Sequence, residues 1–206
     1  HSGLTGAIAG TADGGSRIYN VGILDGEVGS SDDVCGGLVG KLDGSARVIN
    51  CFSYADITGG TTVGGIVGYN NYATTANDAR TMVMNCMFYG EITAGSSKAP
   101  IYNGLIITNR GDQSGVGNFN YFYGGASYVQ KQEIDKEKYN CALAAEKRYL
   151  QRFEFYRHLL NSNRELAAWY ATGDAANGKG VGSNNKMLKW VLDKSIAPYP
   201  ILKAQA

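Results

Sequence analysis

Through the first half of the chain, apolar residues fall in short clusters parted by Gly, Asp-Gly or Ser. None is long enough for an amphipathic helix, and the β-type spacing predicts short strands. The clusters recur. Gly6-Ala7-Ile8-Ala9-Gly10 returns as Gly36-Gly37-Leu38-Val39-Gly40 and as Gly64-Gly65-Ile66-Val67-Gly68, with a reduced copy at Asn103-Gly104-Leu105-Ile106-Ile107. Behind these lies a second block: Ile18-Tyr19-Asn20-Val21, Val48-Ile49-Asn50-Cys51-Phe52-Ser53 and Val83-Met84-Asn85-Cys86-Met87-Phe88. A last version runs through Asn118-Phe119-Asn120-Tyr121-Phe122, with the register ambiguous by two. Glu27-Val28-Gly29, Asp56-Ile57-Thr58-Gly59 and Glu91-Ile92-Thr93-Ala94-Gly95 close the units. Asn20 and Asn50 are 30 residues apart, Asn50 and Asn85 35, and the excess sits in a polar stretch, Asn70 to Arg80, that reads as a surface loop.

Each unit therefore predicts three short strands, too few to bury an apolar face alone. Stacked on its neighbours it buries one. Strands of successive units then pair in parallel about 4.8 Å apart, with Val, Ile and Leu in continuous inward ladders. That architecture is a parallel β-helix. Propeller blades are longer and use four strands, and leucine-rich repeats need Leu at positions where this chain lacks it.

Gly-Gly-Leu-Val-Gly at 36–40, Val-Ile-Asn-Cys-Phe-Ser at 48–53 and Val-Gly-Gly-Ile-Val-Gly at 63–68 resemble the GLUG motif. That repeat is known from bacterial surface and secreted proteins, many adhesin-like and many from gut Bacteroidetes. The resemblance covers residues 3 to about 123, with the fourth copy degenerate. It implies a right-handed β-helix exported to the cell surface. The family has no agreed enzymatic mechanism, so no catalytic residue carries over.

The pattern changes from about Lys136. Leu143, Leu150, Phe153 and Leu160 share one face of a predicted helix over 138–161. Ser162-Asn163-Arg164-Glu165 spells a capping box, and Leu166, Trp169 and Tyr170 follow on a second helix over 164–171. Residues 173–185 read as a loop, Met187 to Leu192 as a short helix or strand, and Tyr199 to Leu202 as a closing strand. The chain thus divides into a mainly β region, 1–125, and a helical cap, 126–206, expected to pack on the last coil and block end-to-end association.

Composition sharpens this picture mainly by exclusion. Gly is 29 of 206 residues, about twice the usual share of roughly 7%, yet only 3 Pro accompany it, which excludes collagen and Pro/Gly-rich disorder. A net charge of +1 gives no basic face for nucleic acid. No apolar run is long enough to span a membrane. Without a signal-peptide pattern at its start, the chain is expected to be a piece of something longer.

Candidate chemistry lies in the repeat columns. Asn20, Asn50, Asn85 and Asn120 fall at one repeat position, where stacked inward amides bond along the axis. Cys51 and Cys86 share the next position, as buried free thiols or a disulfide. Val21 at that place in the first copy favours the apolar reading. Cys35 and Cys141 complete the cysteines, and none makes a C-x-x-C pair. Glu27, Asp56 and Glu91 precede the inward Val28, Ile57 and Ile92, so they stack outward as solvated carboxylates or around a cation. Arg17 and Arg47 offer counter-charge, while Asp13 and Asp43 each belong to an Asp-Gly turn.

No metal or cofactor is expected. His1 and His158 enter no triad, and Arg110-Gly111-Asp112 spells the integrin tripeptide, which a Gly-rich loop also produces by chance, so its use is left open. Tyr69, Tyr72, Tyr102, Tyr121 and Tyr123 lie near loops or the last coil; the first three and Tyr123 are the ligand candidates. The expected function is a non-catalytic module outside the cell or on a bacterial surface, for adhesion, glycan or protein binding, or spacing. Its oligomeric state is open. The alternatives are a β-helical polysaccharide lyase or hydrolase, using the Glu27/Asp56/Glu91 row, and a subunit of an outer-membrane assembly.

Overall fold

Five short strands per unit, not three, build the stack. The computed structural model describes residues 3–31, 34–71, 81–95, 97–99, 102–103, 120–123, 141–144, 160–161 and 187–203; for 97–99, 102–103, 120–123 and 141–144 the backbone alone is described. The first unit holds β1 (Leu4–Gly6), β2 (Ala9–Ala12), β3 (Arg17–Tyr19), β4 (Gly22–Ile23) and β5 (Glu27–Gly29). The second holds β6 (Val34–Gly36), β7 (Val39–Leu42), β8 (Arg47–Ile49), β9 (Phe52–Ser53) and β10 (Asp56–Gly59). The third holds β11 (Thr62–Gly64), β12 (Val67–Asn70), β13 (Met82–Met84), β14 (Met87–Phe88) and β15 (Ile92–Ala94). There follow β16 (Ser97–Ala99), β17 (Tyr102–Asn103), β18 (Asn120–Tyr123), β19 (Cys141–Ala144), β20 (Lys189–Val191) and β21 (Ile201–Lys203).

The extra strands arise because two of the three sequence blocks bend in the middle. The first breaks after its leading glycine. The second breaks at its asparagine: Asn20, Asn50 and Asn85 have φ of 59°, 55° and 51°. Asparagine enters this left-handed region more readily than other non-glycine residues.

Equivalent strands pair in parallel, unit on unit, in the orders β1-β6-β11-β16, β2-β7-β12-β17, β3-β8-β13, β4-β9-β14-β18-β19 and β5-β10-β15. The register repeats side chain on side chain. Ile18, Val48 and Val83 align, as do Val28, Ile57 and Ile92. With Leu38, Ile66, Cys51, Cys86 and Phe88 they form one buried cluster. Within β12 the backbones pass too close for a side chain. A Cβ on Gly68 would lie 2.6 Å from the Gly40 carbonyl oxygen and 2.7 Å from that of Cys35.

Two expectations for the second half need correction. Residues 141–144 are not helical: β19 pairs in parallel with β18, so the sheet continues past residue 125. The two Ala and the Leu of Cys-Ala-Leu-Ala favour a helix, but the edge of β18 offers a row of backbone partners, and pairing outweighs propensity. Apart from residues 160–161, the remainder of both predicted helices lies outside the described residues, as does the loop 173–185.

The other correction concerns where the end of the chain packs. β20 and β21 form an antiparallel hairpin, with Lys189 opposite Lys203 and Val191 opposite Ile201. The last strand begins after Pro200, which has no N–H for the ladder. This hairpin lies along the flank of the stack, reaching back to the first unit, rather than on the last coil. Leu188 N donates to Asn20 Oδ1 at 2.9 Å, Trp190 Nε1 to Asn50 Oδ1 at 2.7 Å, and Asn85 Nδ2 to the Leu160 carbonyl at 3.2 Å. Asn161 holds Trp190 in place, with both Trp190 backbone groups bonded to its amide at 2.8 Å.

The asparagines also bond each other, Asn50 Nδ2 to Asn20 Oδ1 at 2.8 Å and Asn85 Nδ2 to Asn50 Oδ1 at 2.9 Å. The ladder therefore exists, but it faces the hairpin and not the interior. The interior around Val48, Cys51, Val83 and Cys86 offers no partners for amides. Asn120 is not its fourth member. Because Met87 pairs with Tyr121, Asn120 falls opposite Cys86, one place past the asparagine column.

Replacing Asn50 by Ala strands the Trp190 indole N–H and puts a Cβ-bearing residue without a compensating side chain at positive φ. An unmet buried donor costs about 1–3 kcal/mol and the backbone about 1–2 kcal/mol more. Urea unfolding is expected to show Asn50→Ala destabilised by about 3 kcal/mol or more, and Asn50→Gly by roughly 1 kcal/mol less than that.

Candidate functional site

The carboxylate column assembles as the repeat requires. Glu27 pairs with Asp56 across β5 and β10, and Ile57 with Ile92 across β10 and β15, which brings Glu91 beside Asp56. All three side chains are exposed, and Asp56 Oδ1 accepts a hydrogen bond from the Glu91 N–H at 2.8 Å. Arg17 and Arg47 also align in register, but in the sheet of β3, β8 and β13, away from this column. Arg17 donates to the Gly15 carbonyl at 3.0 Å.

A second repeat column, which the sequence reading passed over, lies next to the first. Gly22, Phe52 and Met87 are in register, so Leu24, Tyr54 and Tyr89 follow one another two residues later. The hairpin brings Tyr199 against them. The Tyr89 and Tyr199 rings stack at 3.7 Å between centroids, and Tyr54 meets Tyr199 edge-on at 5.5 Å. The Tyr54 hydroxyl donates to the Pro200 carbonyl. Burial, with the neighbouring Tyr199 second, raises the Tyr54 phenol well above its ordinary value. Phe52 and Trp190, 5.9 Å apart, continue this cluster beneath the hairpin.

These two columns and the hairpin enclose a cleft of about 520 Å³. Tyr54, Tyr89 and Tyr199 form its aromatic part; Asp25, Asp56 and Glu91 its acidic wall; Leu24 and Ile196 its aliphatic rim, with Gly90, Ala197 and Pro198 between. No lysine, arginine or histidine is among these lining residues. Leu24 and Ile196, at 49% and 52% exposure, are two of the four large apolar residues left open among the described residues. The chain matches no protein-family model, no curated protein and no solved structure.

None of the expected ligand tyrosines is among the described residues that line the cleft. Tyr69 is half-buried on β12, in register with Lys41. The backbones of Tyr102 and Tyr123 pair with Val67 and Ala144, and that of Tyr121 with Met87. Tyr72, His1, His158 and Arg110-Gly111-Asp112 lie outside the described residues. The repeat alignment held a signal for Tyr54 and Tyr89, which share one position in successive units. Nothing local marks Tyr199.

Cys51 and Cys86 are buried free thiols, and each Sγ points to a carbonyl two residues back, of Ile49 at 3.2 Å and Met84 at 3.3 Å. No disulfide links them. Burial, chiefly, and then the neighbouring Cys51 push the Cys86 thiol well up. Asp43 serves its turn: it accepts from Gly44 N at 2.8 Å and from Asn71 Nδ2 at 2.9 Å, and pairs with Lys41 at 2.6 Å, the contact that chiefly lowers its pKa. Among the described residues no cluster of three or more His, Cys, Asp or Glu could hold a metal ion.

Cys35, also buried and free, has its thiol pushed up from 9.0 to about 11 by desolvation. The unfolded chain therefore loses this proton before the folded chain does. Stability is expected to fall as pH rises from about 9 to about 11, by roughly 2–3 kcal/mol from this group. Val63 stands at the same register position in the next unit, so Cys35→Val should fold and lose that part of the decline. Urea midpoints for both proteins across this range measure the difference.

Proposed function

We propose that the chain is a right-handed parallel β-helix acting as a non-catalytic binding and spacing module, outside the cell or on a bacterial surface. One observation carries the binding part. The cleft gathers open aliphatic side chains, Leu24 and Ile196, around tyrosines and carboxylates. Apolar area left in water beside a few fixed polar groups is the composition of a contact site. The spacing part draws on the constant register of the stacked sheets, which makes a stiff scaffold of repeated units. The GLUG resemblance supports the location and the adhesive role.

An enzymatic reading has one observation in its favour: Asp56 and Glu91 stand side by side in the open cleft. Glycosidases use carboxylate pairs. A lyase would need a general base, for which the described lining residues offer carboxylates and tyrosines but no Lys, Arg or His.

Binding without turnover distinguishes the two. Immobilised chain is expected to retain ligand from arrays of glycans and peptides, to return it chemically intact, and to bind at least tenfold more weakly as Tyr89→Ala. Release of a cleaved or unsaturated saccharide would establish the enzyme instead.

A further inference from the structure

We propose that the cleft takes the side chain of a lysine or arginine presented by a basic, extended segment of another protein. This rests on the reading of the cleft as a binding surface and specifies its partner.

Charge is the first argument. Asp56 and Glu91 sit in register on adjacent parallel strands, and Asp25 faces the same cleft from the first unit. Neighbouring strands lie about 4.8 Å apart, a spacing at which like charges repel unless a cation answers them. Two of the three carboxylates are already held. Asp56 Oδ1 is held by the Glu91 N–H and Asp25 Oδ1 by the Gly26 N–H, both at 2.8 Å. An incoming cation thus meets acceptors that need little ordering.

The rim supplies an argument independent of charge. Leu24 and Ile196 come from the first unit and the hairpin, and about half of each side chain is open to water. Lysine and arginine carry long apolar stems that cover such surface while the charged head reaches polar groups.

The same geometry disfavours a sugar ring. Saccharides stack on open aromatic faces, but here Tyr89 and Tyr199 turn their faces on each other. Tyr54 and Tyr199 are only 8% and 5% exposed. What lies open is aliphatic and anionic.

The test uses the full chain and fluorescence anisotropy with three probes: an arginine-rich peptide, the same peptide with citrulline for arginine, and a glucosamine oligomer. The arginine peptide is expected to bind, to weaken as salt rises, and to lose tenfold or more in affinity against Asp56→Asn/Glu91→Gln. Ile196→Ser is expected to weaken it several-fold with little change in salt dependence. Both variants alter exposed side chains, and circular dichroism confirms that they fold. Equal binding of the citrulline peptide, or arginine-peptide binding unmoved by either variant, would overturn the proposal. Tighter, variant-sensitive binding of the glucosamine oligomer would overturn it while leaving the cleft a binding surface. Failure of all three probes removes the proposal, and only a parallel failure on the broader arrays removes the binding reading too.

Discussion

A buried primary amide has two donors and two lone pairs to satisfy, and the geometry around Asn50 meets all four. Its Nδ2 donates to Asn20 Oδ1 and to the Leu188 carbonyl, while its Oδ1 accepts from Asn85 Nδ2 and Trp190 Nε1. Two of these partners belong to the stack and two to the hairpin. The residue that bends the chain at the corner thus also sets the register between units and fastens the end of the chain to its start. Asn85 closes the ladder, because the next unit is shifted by one. Its buried Oδ1 has no partner among the described residues.

Function follows from that fastening. The cleft has one wall on the stacked units and the other on the hairpin, so it exists only while the hairpin is docked. Trp190, fully buried against Phe52, and Tyr199, stacked on Tyr89, hold the hairpin through apolar contact. The ladder adds direction: hydrogen bonds to Asn20 and Asn50 permit one longitudinal placement of Leu188 and Trp190, and this brings Ile196 to the cleft that Leu24 also lines. Apolar packing stabilises the docking, and the amides specify where it occurs.

Much of the stack was legible in the sequence. The aligned blocks anticipated the parallel pairing, the inward Val28–Ile57–Ile92 column and the exposed Glu27–Asp56–Glu91 column, because a repeat of fixed register puts equivalent residues in line. The legible part thinned where the repeat did. At Asn118-Phe119-Asn120 two registers, two residues apart, fit the apolar pattern, and the pairing of Met87 with Tyr121 follows neither: it sets the register between them. The count of strands was also missed, since hydrophobic spacing does not report that an asparagine adopts positive φ.

Residues 141–144 show the limit most plainly. Their composition favours a helix locally, yet a strand edge beside them offers backbone partners that no local pattern contains. The same holds for the cleft. Tyr54 and Tyr89 occupy a repeat position that the sequence discloses, while Tyr199, Ile196 and Trp190 reach it from more than 100 residues away. The sequence alone determined what repeats: which side chains stack, and which columns are apolar, amide or acidic. Tertiary structure decided what docks against those columns. Stacking needs only short-range periodicity to be specified, whereas docking depends on which distant segment can satisfy the amides left at the corners.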